Sequence, residues 1–183
     1  MSLHLNKEKS STGSVQDLDI ALDRDMFFRT LIRGLAGTLE DVVGVRHASG
    51  YFSIVGQTVG EHINDEYRKA LGTPQLSLPQ VADTLVDLKR RIHGDFYVME
   101  QSEEKIVMGN RECPFGNAVV GRESMCMMTS NVFGSITADN LGYARVELQE
   151  TIARGAQGCR VVVHLKPSQE AETAPSREYF RAE

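Results

Sequence analysis

The chain has 183 residues, 41% of them hydrophobic and 25% charged, with a net charge of −5. That length supports one domain with a core of its own, and the acidic balance argues against a general nucleic-acid-binding surface. No stretch is long or apolar enough to cross a bilayer, and the first residues lack the apolar core of a secretory signal, so no membrane partner and a cytoplasmic location are expected.

Residues 1–19 are polar, with the run Ser10-Ser11-Thr12-Gly13-Ser14, and are expected to be disordered. Residues 20–166 are expected to form a single domain. The segment 167–183 is rich in Glu, Ser and Ala and is expected to be loose, with Tyr179 and Phe180 able to dock. A first helix starts at Asp23 or Asp25, either a good cap, presents Phe28, Leu31, Leu35 and Leu39 at helical spacing, and stops at Gly44. A second runs from Gly50 to Leu71 with Phe52, Val55, Val59, Ile63, Tyr67 and Leu71 on one face. Gly56 and Gly60 lie one turn apart on it, which suits close approach of another backbone and, as a sharper alternative, a dimer seam. The third helix follows the capping box Ser77-Leu78-Pro79-Gln80, buries Val81, Leu85, Leu88 and Ile92, and closes at His93-Gly94. The basic run Lys89-Arg90-Arg91 falls in its last turn, where cations complement the helix dipole.

The period then changes from helical to alternating. Residues 95–100 and 105–108 flank a polar turn and read as a β-hairpin. A helix over 123–139 follows, then strands over 143–152 and 159–166. The order ααα-ββ-α-ββ describes an α+β domain, three N-terminal helices packed on an antiparallel sheet.

The three cysteines are spaced Cys113-x₁₂-Cys126-x₃₂-Cys159 and fall on separate elements: a Cys-Pro-Phe-Gly turn, a helix start and the head of the last strand. An odd number without a secretion signal fits a reducing compartment and not a disulfide framework. Thiolates select borderline and soft metals, so three converging cysteines favour Zn²⁺ or an iron–sulfur cluster over Mg²⁺ or Ca²⁺. Cys126 would have its thiolate favoured by the helix dipole, and Cys159 shares strand parity with Val161, Val163 and Leu165, placing it on the interior face. The C-x₂-C pairs of zinc ribbons and ferredoxins are absent, and three buried structural cysteines are the competing reading. Candidates for a fourth ligand are Glu112, Glu123 and His93; His164 has the wrong parity.

The segment from Phe96 to Lys166 resembles the C-terminal sensory half of the suf-operon iron–sulfur repressors, which also carry a Cys-Pro turn, a second cysteine further on and a Gly-x-x-Cys before the last strand. More closely, residues 18–166 resemble the methanogen output domain family. The matching stretches are Asp87–Ile92, Cys113-Pro114-Phe115-Gly116, Gly121-Arg122, Cys126–Gly134 and Gly155–Cys159. The layout is also similar to the wider 4-vinyl reductase, haem–NO-binding and Bet3-like group, which hold small ligands between helices and sheet. These resemblances imply a sensory domain in signalling or transcription regulation, with Cys113, Cys126 and Cys159 as ligands of an iron–sulfur cluster, or alternatively of zinc. They imply a homodimer, a possible small-molecule ligand and a possible signalling protein partner. The helix-turn-helix of the repressors has no counterpart here, so direct nucleic-acid binding does not carry over.

Other constellations give little. The five histidines form no metalloprotease pair, the glycines around 109–121 make no dinucleotide or phosphate loop, and no serine sits in a nucleophile elbow. Met125, Met127 and Met128 suit packing or the wall of an apolar pocket. The reading is therefore a small-ligand or redox sensory domain that signals by conformational change, more a sensor than an enzyme, with no catalytic residue assigned. The alternatives are a reductase-like enzyme on a small apolar substrate and a metal-free interaction domain.

Overall fold

The computed structural model describes residues 14–167 and 176–181. Most of the segment expected to be disordered lies outside the described residues; within it, Val15–Asp17 forms a short, fully exposed 3₁₀ turn. Helix α1 (Arg24–Leu71) begins on Asp23, whose carboxylate accepts the Met26 N–H at 2.7 Å. The two helices expected over 23–71 are one element, and the order is αα-ββ-α-ββ followed by a fifth strand. Gly44 does not stop the helix but bends it, with φ 79° and ψ 156°. The chain has no capping or loop residues after it, and the His47 ring and the Ser49 hydroxyl reach back to the Val43 and Val45 carbonyls, so helical geometry resumes at once.

Helix α2 (Leu78–Arg91) starts where the capping box predicts: the Ser77 N–H donates to Gln80 Oε1 at 2.9 Å. The hairpin follows as β1 (Phe96–Gln101) and β2 (Lys105–Asn110). After the Cys113 turn and a 3₁₀ turn at Glu123–Met125 come α3 (Cys126–Leu141), β3 (Tyr143–Glu150) and β4 (Cys159–His164). Ser176–Phe180, inside the segment expected to be loose, forms β5 on the free edge of β3. Its Tyr179 ring rests on Gly134, where a side chain would leave no room, and its hydroxyl lies 3.0 Å from Ser130 Oγ. The sheet runs β1-β2-β4-β3-β5 with every neighbouring pair antiparallel.

The helices cover one face of this sheet. Val81, Leu85 and Leu88 of α2 and Phe133 and Ile136 of α3 meet Ile106, Met108, Val146 and Val163 in the main core, all buried. Ile92, expected in the stripe, is half exposed because α2 has already ended there. Helix α1 buries each predicted face only in part: Phe52 is buried, Ile63 and Tyr67 pack on the main core and Leu39 on a smaller cluster. Phe28, Leu31 and Leu35 are exposed, as are Val55, Val59 and Leu71, while Ala36, Gly37, Ala48, Phe52, Gly56, Gly60 and Asn64 are buried. The reason is how closely α1 lies on its neighbours: a Cβ at Gly56 would stand 2.9 Å from Asn131 Cβ, and one at Gly60 3.1 Å from Val132 Cα. Close packing inside the chain, and not a dimer seam, therefore accounts for the two glycines. A smaller cluster (Ala36, Phe52, Val119, Met125, Ala153) sits under the 113–125 segment.

Candidate functional site

The two core clusters meet at Cys126 and Met127. Three elements deliver the cysteines there. Cys113 sits in the turn after β2, closed by the Gly116 N–H on the Cys113 carbonyl at 2.7 Å; Gly116 takes φ 54°, and Pro114 packs on Gly94 at the end of α2. Cys159 opens β4 directly opposite Asn110. Its sulfur accepts the Asn110 side-chain amide at 3.6 Å and the Ile152 N–H at 3.5 Å, both suited to holding a thiolate. Cys126 begins α3.

All three half-buried cysteines line one small cavity of about 30 Å³, walled also by Phe96, Phe115, Val119 and Thr129. The sequence expectation that they converge is met to that extent. Among the described residues, however, no three His, Cys, Asp or Glu side chains stand in an arrangement that holds a metal ion as it is. The dipole argument for Cys126 fails. The 3₁₀ turn before α3 occupies its N–H, and burial, reinforced by the neighbouring Cys159 and Cys113, pushes the thiol up to about 12. Burial raises Cys113 as well.

Sequence reasoning missed Lys89. It was taken for one of three dipole-facing cations, yet it is 4% exposed. Its Nζ donates to Thr129 Oγ1 at 2.8 Å and lies 5.5 Å and 5.3 Å from the Phe96 and Phe133 ring centres. Burial draws it down to about 8, and the groups that oppose this are the three cysteines. Its position four residues after Leu85, on the apolar stripe of α2, was the available signal.

A second cavity of about 240 Å³ shares the Cys126 wall. It lies between α1 (Val45, Ser49), α3 (Met127, Ser130), β3 (Val146, Leu148) and the Arg154 and Arg177 side chains. Arg154 is held by Glu123 at 2.9 Å and by the Leu148 carbonyl, and Arg177 donates to Ser53 Oγ. Glu123, a candidate fourth ligand, is thus ion-paired while its charge also reaches Cys126. Met125 lines the thiol cavity and Met127 the wider one, as pocket walls. The segment over both is tied to α1 by Glu40, which accepts from Arg122 at 2.8 Å and Ser124 at 2.6 Å, and by Arg33 on the Val120 carbonyl.

The family model "Methanogen output domain 1" matches residues 31–164. No curated protein matches the chain. Among solved structures, the phenol-responsive sensory domain of the transcription activator PoxR, determined with phenol, is similar with a TM-score of 0.62 and 16% identity, covering 79% of this chain and 75% of that one. A trafficking protein particle complex subunit 3 from Naegleria fowleri, covalently bound to palmitic acid, is similar with a TM-score of 0.53 and 15% identity, covering 80% and 99%. At these identities the likeness is one of fold. No described helix is long and apolar enough to cross a membrane.

Proposed function

The chain belongs to the methanogen output domain 1 family, and from that premise we propose that it is a small-ligand sensory domain in which Cys113, Cys126 and Cys159 hold a metal centre, an iron–sulfur cluster as first choice and zinc as second. The observation that carries this reading is the small cavity lined by three cysteines from three elements, with a buried Lys89 that faces no carboxylate among the described residues and whose charge is favoured by those three cysteines. Three thiolates around a centre of charge +2 leave one net negative charge, and the Lys89 ammonium cancels it. A buried cation and three buried thiolates are each costly alone; together with such a centre they would be neutral. Closing the ligand set asks for a change of side-chain torsion, and a cysteine has one.

Asn110 and the Ile152 N–H hold the Cys159 sulfur, and Phe115, Val119 and Met125 keep water from the cavity. Cys113, Cys126 and Cys159 would hold such a centre, which would tie the turn, α3 and β4 to one point, so that its loss would free them from one another. The wider cavity takes the organic ligand. At about 240 Å³ it is below the roughly 300–1,000 Å³ of drug-sized pockets, and its mixed walls, with Val146 and Leu148 on one side and Arg154 and Arg177 among its polar groups, suit a small molecule carrying a hydrogen-bond acceptor. That related folds accommodate phenol and a palmitoyl chain supports this use of the space. Cys126 lines both cavities, so occupation of one reaches the other, and the resulting change of shape passes to a signalling partner, in transcription control by the PoxR comparison.

Anaerobic purification with visible absorption and metal analysis is the test. Brown, iron-containing protein supports the cluster, and stoichiometric zinc supports a structural centre. Folded protein without either metal overturns the metal centre and leaves the sensory reading to the wider cavity. Cys126→Ser is expected to abolish metal retention, and retained metal would count against the assignment.

A further inference from the structure

The front half of α1 carries two apolar faces. One packs on the chain itself through Ile32, Ala36 and Leu39, reinforced by Arg33 and Glu40. Beside it, about a quarter turn round the helix, lie Phe28, Leu31, Leu35, Thr38, Val42 and Val45, at alternating spacings of three and four residues, and all are exposed. No described residue covers them. A helix seldom presents so wide an apolar arc unless all of it is occupied. The 3-4 spacing is that of a coiled-coil seam, and the best match for such a seam is another helix with the same spacing.

We propose that this face is the interface with a second copy of the chain, formed by two α1 helices lying parallel and in register. The occupant is argued from area, charge and Thr38. With Phe27 included, the exposed apolar side chains, each about half open, offer on the order of 600 Å² per copy. That is close to the roughly 800 Å² per partner of a standard specific interface and at the upper end of the patch a monomer leaves open. The six seam positions hold no charge, so two copies meet without repulsion. Thr38 is the one polar residue among them. In a parallel, in-register pair it faces its own counterpart, where the two hydroxyls satisfy each other; an antiparallel or slipped pair sets it against leucine or valine. Gly34 beside the seam has nothing within 4 Å and allows close approach. The regular seam runs from Phe28 to Val42, and Gly44 bends the helix beyond it. At Val45 the seam reaches the wall of the wider cavity, which gives the paired helices a mechanical link to that site. The inference does not depend on the metal centre.

The experiment is the mass of the full chain in solution, by light scattering and sedimentation equilibrium at micromolar concentration. The expected result is a two-chain particle, converted to one chain by Leu31→Glu with Leu35→Glu, with the dissociation constant raised about 100-fold or more. Both positions are about half exposed in the chain (46% and 55%), so the far-UV circular dichroism of the variant should stay that of the parent. Thr38→Cys should give a covalent dimer under mild oxidation, beyond whatever the parent chain shows on the same gel. A monomeric parent overturns the proposal, as does a dimer that survives both glutamates. A dimer in which Thr38→Cys fails to cross-link overturns the parallel register.

Discussion

Helix α3 carries a polar cluster at each end, and the two are built differently. At its C-terminal end Asn140 is fully buried and complete. Its amide donates to Asn64 Oδ1 at 2.8 Å and the Ile136 carbonyl at 2.7 Å, and its oxygen accepts from the Leu76 N–H at 2.8 Å and Arg68 at 3.2 Å. Asn64 in turn donates to Asp139, and Arg181 of the final segment closes on the Asp139 and Asn140 carbonyls at 2.9 Å. At the N-terminal end Lys89 has, among the described residues, one acceptor for three protons, and that acceptor, Thr129, lines the cavity of the three cysteines. A buried network with every partner present fixes geometry, whereas one that keeps a charge without its counter-charge is completed from outside. The contrast separates the part of α3 that holds the fold from the part proposed to take a ligand.

The strongest way to break that contrast is at the complete end. Asn140→Ala strands the Leu76 N–H and Asn64 Oδ1 in the core and opens a small void. It is expected to destabilise the protein by about 4 kcal/mol, read from urea unfolding. The loss should be the same with and without metal in the thiol site. A loss that depends on metal would mean that the two ends are one network.

What the sequence reveals of these two ends follows from what each rests on. The Cys113 turn, the Ser77 cap of α2 and the alternation of β1 and β2 are local, and each stands where its residues place it. The convergence of the thiols was legible because strand parity and turn chemistry point inward together. Four features were not legible. The buried face of α1 is made of Ala36, Gly37, Gly56 and Gly60, less hydrophobic than Phe28, Leu31 and Leu35 on the open side, so periodicity alone selects the wrong stripe. The bend at Gly44 depends on how far the helix must turn to stay on its neighbours. Strand β5 comes from a polar segment and exists because β3 has a free edge and Gly134 leaves space for Tyr179. Lys89 reads as a solvated charge until its position four residues after Leu85 is taken seriously.

At the incomplete end the sign of the effect reverses. In metal-free protein Lys89→Met is expected to stabilise by about 2 kcal/mol at neutral pH, since a buried cation without a counter-charge is replaced by a side chain of similar length. The pH dependence checks the cause. Lys89 is held at about 8 in the folded protein, below its ordinary 10.5. Between those values the unfolded chain binds more protons, so the wild-type protein gains stability as pH rises from about 8 to about 10.5, by up to about 3 kcal/mol. Cys126 acts oppositely: its folded value is about 12, so it loses stability as pH climbs above the ordinary thiol range. Both proteins share that loss, and the difference between their unfolding curves isolates Lys89. The advantage of Lys89→Met should therefore shrink toward pH 10. With zinc as the probe, the same substitution is expected to weaken binding about 10- to 100-fold. A constant gap across pH would remove the charge argument for this end of α3.

The smallest effect sharpens the comparison most. Among the described residues, Thr129 Oγ1 is the one hydrogen-bond acceptor of the Lys89 ammonium, at 2.8 Å. Thr129→Val keeps the shape and removes the acceptor, so at neutral pH it should lower the stability of metal-free protein by about 1–2 kcal/mol, the range of a bond to a charged group. In the Lys89→Met background there is no ammonium to satisfy, and the same change should cost close to nothing. The double-mutant cycle thus predicts a coupling of about 1 kcal/mol between residues 89 and 129. That coupling should fade above pH 8 as the ammonium loses its proton. A cost that persists with methionine at 89 would place Thr129 among the packing residues of α3 and leave Lys89 without any protein partner for its charge. Metal should act in the same direction as deprotonation, because a neighbouring negative centre supplies the counter-charge that the hydroxyl dipole only partly replaces.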